Sequence, residues 1–233
     1  MPGWRCALIV GEVLRTIWHA EAWRRKAEIG IMSRKAVDIV VLPDEAMTSR
    51  AIEANRKLVE RFGARLVLDR ERCLPHISLA MGCMADEDLE AVAGVLEKVA
   101  AGERLGPLKV VGVVVSTNAI GEKVSLFEVE RAESLQKLHE AVMYEVQPYL
   151  SPEVTREMMY HGWEVEDGSL VWIRDYGIKS SLENFFPHIT IGYGVLEEGG
   201  FPAEFSASRL ALCHLGNHCT CREVLAAVEL RSN

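Results

Sequence analysis

The 233-residue chain predicts an α+β protein of two lobes, on three observations. The first is a near-repetition: Leu74-Pro75-His76-Ile77-Ser78-Leu79 returns as Phe186-Pro187-His188-Ile189-Thr190-Ile191. The second is that runs rich in Val and Ile alternate with helical periodicity in both halves. The third is the chain's end, where Leu210–Leu215 and Glu223–Leu230 read as two strands around a tight polar connection, the last with Val224, Ala226, Val228 and Leu230 in alternation. Strand-rich halves with helices packed outside them bury such faces.

Residues 1–32 read as an N-terminal extension outside the fold, with the domain running over 33–233. Residues 1–31 carry five basic side chains (Arg5, Arg15, Arg24, Arg25, Lys26) against three glutamates; with −8 overall, the remainder is at −10 (−8 minus +2). Three glutamates and a lack of serine count against a transit peptide. The strand pattern starts at Ala36-Val-Asp-Ile-Val-Val-Leu42. Pro43-Asp44 then opens a helix, with Asp44 as N-cap. Met47, Ala51, Ala54, Leu58 and Phe62 recur at helical spacing, and Gly63 ends it. A short strand is expected over Arg65–Leu68. Acids at 86–88 suit the start of a second helix, whose stripe is Leu89, Val92, Leu96 and Val99.

Leu108–Val115 and Lys123–Glu130 are strands joined by a polar turn around Asn118 and Gly121, fit to pair as a hairpin. A third helix carries Leu135, Leu138, Val142 and Val146, and Pro148 stops it. Residues 149–184 are the least regular stretch, with a short helix expected within 152–160 and a strand at Leu170–Ile173.

The repeated motif carries the chemistry. Pro at the mouth of a strand spoils no ladder bond, and side chains two apart share a face. His76 therefore projects with Ser78, and His188 with Thr190, while Ile77 and Ile189 face a core. A lone histidine in an apolar strand is most often structural. Two copies with the same proline, spacing and hydroxyl point instead to two His/hydroxyl pairs in one cleft. Two imidazoles suit proton transfer near neutral pH, and hydroxyls can hold an oxyanion.

These paired His-x-Ser and His-x-Thr motifs resemble the signature of the 2H phosphoesterases, the family of 2′-5′ RNA ligases and RNA 2′,3′-cyclic phosphodiesterases. The resemblance covers roughly residues 36–231. The 112 positions between the histidines (188 − 76) exceed the usual spacing, so an insertion is expected at about 149–184. The resemblance implies two antiparallel sheets with outer helices about a pseudo-twofold axis, with the histidines in the groove between. It also implies a phosphodiesterase that needs no metal or cofactor and acts on a 2′,3′-cyclic phosphate or 2′-5′ linkage of RNA or a small nucleotide. His76, Ser78, His188 and Thr190 are the catalytic candidates, with Gly192 and Tyr193 as substrate contacts. Which imidazole is acid and which is base is open on the residues alone; family analogy favours His76 as acid. A catalytically silent binder of phosphorylated ligands or RNA ends, and a 2′-5′ ligase, are the competing readings.

Cys213, His214, His218, Cys219 and Cys221 invite a zinc reading, but adjacent Cys213 and His214 point to opposite faces of a strand, and the spacing lacks the usual two-residue gap. Tyr160, Trp163, Trp172 and Tyr176 read as a local core, or else a platform for a base; His139 and His161 stand outside any motif. Six cysteines without a secreted framework's spacing suggest a reducing, cytoplasmic setting. No apolar run reaches the ~20 residues of a membrane span, and the acidic balance argues against coating long nucleic acid. The partner expected is an RNA end or a small nucleotide, met by a monomer.

Overall fold

The computed structural model describes residues 33–118 and 121–231; the expectations for residues 1–32 lie outside the described residues. The elements run β1 (Arg34–Pro43), α1 (Glu45–Phe62), β2 (Ile77–Ala85), α2 (Leu89–Gly102), β3 (Leu108–Thr117), β4 (Lys123–Val129), α3 (Glu133–Val146), α4 (Asp167–Lys179), β5 (His188–Tyr193), β6 (Ala203–Phe205), β7 (Ala207–Gly216) and β8 (Thr220–Glu229). They form two four-stranded antiparallel sheets, ordered β2-β1-β7-β8 and β5-β4-β3-β6. This is the α+β architecture of two sheets that the sequence predicts. In each, the motif strand lies at an edge, paired with the strand that precedes it by a helical crossover. The β7–β8 hairpin follows the second motif in the chain yet completes the first motif's sheet.

Local chemistry explains the elements that were legible. Asp44 caps α1, its Oδ1 accepting from the Met47 N–H at 2.9 Å while Oδ2 accepts from Ser206 N–H at 2.7 Å, so one side chain starts the helix and ties down the approach to β7. Met47, Ala51, Ala54 and Leu58 are buried along α1, Val92, Leu96 and Val99 along α2, and Leu135, Leu138, Val142 and Val146 along α3. Phe62, the last of the expected α1 stripe, is largely exposed.

Three expectations are corrected. Leu66 and Leu68 are buried and Val67 exposed, the alternation of a strand, but no strand pairs with them. The buried Asn55 side chain takes their backbone groups instead: its Nδ2 donates to Leu66 O at 2.9 Å and to Ile191 O at 2.8 Å, and its Oδ1 accepts from Leu68 N–H at 2.9 Å. Leu170–Ile173 lies in α4. The helix buries Ser169, Ile173 and Tyr176, at helical spacing, and leaves Val171 and Trp172 exposed, so a four-residue apolar run belonged to a helix of weak amphipathicity. Of 152–160, only Arg156–Met158 forms a 3₁₀ turn.

β1 is buried on both faces. Val37, Ile39 and Val41 join the main core between the sheets and helices, while Ala36 lies under Met159, Val165, Ile173 and Tyr176 of the 149–184 segment. Val40 and Leu42 pack with Ala211, Cys213 and Cys221. A strand covered twice reads as a continuous apolar run, which is how it appears in the sequence. Cys213 and Cys221 form a disulfide across the β7–β8 hairpin. Spacing along the chain suggests thiols in a reducing setting; the folded hairpin instead brings the two Cα atoms to 5.4 Å. Among the described residues, no helix is long and apolar enough to cross a membrane.

Candidate active site

Each motif strand carries the same irregularity. Along β1–β2, Val40 faces Ser78 and Ile39 faces Ala80, so Leu79 is an extra, unpaired residue. Along β4–β5, Leu126 faces Thr190 and Ser125 faces Gly192, which leaves Ile191 extra. A bulge directly after the hydroxyl residue shifts the alternation by one. Gly192 then lies on the core side, where an added Cβ would come within 3.0 Å of Asn55 Nδ2 and 3.4 Å of Leu58 Cδ1. Tyr193 falls on the face of His188 and Thr190, as Met81 does on the face of Ser78.

The histidines are held alike. His76 Nδ1 lies 2.7 Å from Leu74 O, and His188 Nδ1 lies 2.8 Å from Phe186 O, in each case the carbonyl two residues back. A carbonyl only accepts, so each Nδ1 carries the hydrogen and each Nε2 is left as the reactive nitrogen. The first carbonyl is itself fixed: Asp69 Oδ1 accepts the N–H groups of Glu71, Arg72 and Cys73, and Leu74 N–H donates to Cys221 O at 3.2 Å. β2 and β5 lie in contact. Burial pulls His76 below the ordinary imidazole range, the Leu74 hydrogen bond opposes this, and the neighbouring charge of His188 adds to it. Burial likewise lowers His188, against its bond to Phe186.

One residue that the motifs do not reveal belongs to the site. Asp38 is fully buried, hydrogen-bonded through Oδ2 to Ser78 Oγ at 2.6 Å, and 3.8 Å from His76 Nε2. Its signal in the sequence is that it is the one charged residue inside the apolar run Ala36–Leu42.

Of the substrate-contact candidates, Gly192 is buried beneath Asn55. Tyr193 is half-buried; its hydroxyl meets His218 Nδ1 at 2.9 Å, and the Arg65 guanidinium sits 4.1 Å from its ring centroid. Arg65 is in turn bound by Glu122 and Glu166. Beyond them is a cavity of about 130 Å³ lined by Cys73, Tyr160, His161, His218 and Arg222. Sequence reasoning missed Arg65 and His218 as neighbours of Tyr193, since only the fold joins them.

The expected aromatic cluster is divided. Trp163 stacks on His161, which stacks on Tyr160; Tyr176 is buried with its hydroxyl donating to Ser78 O at 3.3 Å; Trp172 is exposed. His139 is a core residue, stacked on Phe185, with Nδ1 donating to Leu79 O and Nε2 accepting from Leu182 N–H. Cys213 and Cys221 are occupied by their disulfide, and no described group of His, Cys, Asp and Glu is arranged to hold a metal ion.

The family described as the 2′-5′ RNA ligase superfamily matches residues 45–217. Among solved structures, TT0787 of Thermus thermophilus is similar at 18% identity and a TM-score of 0.50, over 85% of this chain and 99% of that one. LigT of E. coli, in its apo form, is 12% identical with a TM-score of 0.45 over 85% and 98%. The same protein complexed with 3′-AMP is 11% identical with a TM-score of 0.47 over 85% and 98%. No curated protein matches the chain. With most of its length matched by the family and both motif strands laid edge by edge, the chain belongs to the 2′-5′ RNA ligase superfamily of 2H phosphoesterases.

Proposed function

We propose that the protein is a metal-independent phosphodiesterase that opens a 2′,3′-cyclic phosphate, or cleaves a 2′-5′ linkage, at an RNA end or in a small nucleotide. The observation that carries this reading is the duplicated imidazole: two Nδ1–H groups tied to the carbonyls two residues back, with two Nε2 atoms left for proton transfer. In hydrolysis of the cyclic ester, one neutral Nε2 takes a proton from the attacking water as its oxygen bonds to phosphorus. The other, protonated, gives its hydrogen to the alkoxide that leaves. Each transfer contributes about 10²–10⁴-fold. Ser78 and Thr190 donate to the non-bridging oxygens, where fixed donors stabilise developing charge better than reorganising water does. Tyr193, on the same face, offers its ring to the base.

The alternative of ligation is the same ring opening with a 5′-hydroxyl attacking phosphorus in the place of water. A silent binding protein would use the same two Nε2 atoms only to hold a phosphate, without turnover. The test offers purified full-length protein 2′,3′-cyclic nucleotides, 2′-5′-linked dinucleotides and cyclic-phosphate-ended RNA, with and without chelator. Turnover that persists in chelator is expected. Binding without turnover of any member of the panel would leave the binder reading, and activity lost in EDTA and restored by zinc would overturn the metal-independent one.

A further inference from the structure

The motifs are near copies, yet their hydroxyls are treated differently. Ser78 shares a 2.6 Å hydrogen bond with Asp38, whereas the described residues give the Thr190 side chain no hydrogen-bond partner. The register shows why. Asp38 faces Met81 across β1–β2, and the corresponding pair across β4–β5 is Val124 and Tyr193. The second half-site has an apolar residue where the first has an acid.

Asp38 lies on the face of β1 that the 149–184 segment covers, and it has no exposed surface. Its Oδ1 has no partner among the described residues. The titratable groups around it are His76 on β2, 3.8 Å away at Nε2, Tyr176 on α4 and Cys219 in the β7–β8 turn. None is a fixed cation. An ionised carboxylate buried without a counter-charge is far costlier than the neutral acid, and desolvation pushes Asp38 well above the ordinary carboxylate range, outweighing the Ser78 bond. A neutral carboxyl has one O–H to place, and Ser78 Oγ is at hydrogen-bond distance.

We propose that Asp38 positions Ser78: its carboxyl donates the hydrogen of the 2.6 Å bond, so that the serine's own hydrogen is turned toward the substrate's phosphoryl oxygen. An ionised Asp38 would accept only, Ser78 would be forced to donate to it, and the serine would present lone pairs to a phosphate that is itself an acceptor. The role of Ser78 rests on the phosphodiesterase reading above; the state of the Asp38 carboxyl does not.

The test compares Asp38→Asn, whose amide can still donate, with Asp38→Leu, which is of similar size and cannot. On a 2′,3′-cyclic nucleotide, Asp38→Leu is expected to lower kcat by about ten- to a hundredfold, and by no more than Ser78→Ala does, since it acts only through that donor. Asp38→Asn should recover most of that loss, and the Asp38→Leu effect should vanish in a Ser78→Ala background. Equal damage in the two variants, a displaced acid limb of the pH profile in Asp38→Asn, or full activity in Asp38→Leu would each overturn the proposal. An infrared difference spectrum of wild type against Asp38→Asn at pH 7 reads the carboxyl directly. The C=O stretch of a protonated acid is expected, and its absence would sink the idea. If wild type turns over no member of the panel, the phosphodiesterase reading fails, while this band still decides the state of Asp38.

Discussion

At the scale of single residues, the proposed site is two imidazoles whose Nδ1 atoms are committed to backbone carbonyls. His76→Ala and His188→Ala are each expected to reduce kcat by about 10²-fold or more. The double variant should be little worse than either single one, because the two act as a unit. Ser78→Ala and Thr190→Ala should cost about 10–10²-fold, each removing one donor among several. Burial lowers both imidazoles, so the acid member loses its proton below the usual imidazole range. The bell of kcat/KM against pH should therefore centre below about 6.5, as a property of the coupled pair; an optimum well above 7 in a buffered pH series would contradict this. His139 gives a stability counterpart. Burial holds its imidazole at about 4, below its unfolded value of about 6.5. A group with a depressed basic pKa favours folding fully above the unfolded value, and that contribution is lost as pH falls from about 6.5 toward 4. Melting followed by circular dichroism should show a decline over that window, at most about 3 kcal/mol from this residue, and His139→Phe should flatten it.

At the scale of elements, Asn55 decides how α1, the 66–68 loop and β5 fit together. One buried amide makes three hydrogen bonds to the backbone of segments far apart in sequence. Asn55→Ala leaves two carbonyls and one N–H buried without partners, each costing about 1–3 kcal/mol. Denaturant unfolding should show a loss of at least about 2 kcal/mol; a loss below about 0.5 would mean that water replaces the amide. The same residue explains why Arg65–Leu68 reads as a strand and is not one. Its alternation is real, but a side chain holds its polar groups where a strand neighbour was expected. In α4, by contrast, the sequence signal itself was weak, because Val171 and Trp172 lie on the exposed face.

At the scale of the molecule, the unit that begins at Arg34 has its own core, both sheets and all four motif residues among its described residues. A chain beginning at Met32 is therefore expected to turn over like the full-length one, and to melt within about 2–4 °C of it, the equivalent of roughly 1 kcal/mol on a domain of this size. A larger drop in a side-by-side melt would show that residues 1–31 contribute to the fold. Helices cross between the halves. α1, which follows β1, packs on β5 of the other sheet, while α3 and α4 pack on β2. Each motif strand is thus supported by helices that belong, along the chain, to the opposite half.

The sequence by itself determined the α+β class, the three amphipathic helices, both hairpins and the two His/hydroxyl pairs, because each rests on local rules: periodicity, capping, Pro at a strand mouth and the two-residue alternation of a strand. Tertiary structure alone decided the rest. It joined the last hairpin to the first sheet and brought Cys213 to Cys221. It inserted Leu79 and Ile191 as bulges, the second of which sets Tyr193 on the face of β5 that carries His188 and Thr190. It also laid the 149–184 segment over one face of β1, so that Asp38 came to be buried beside Ser78 and His76. These outcomes depend on partners distant in the chain, 40 residues apart for Asp38 and Ser78, and on solvent excluded by surfaces that exist only once the two halves have packed.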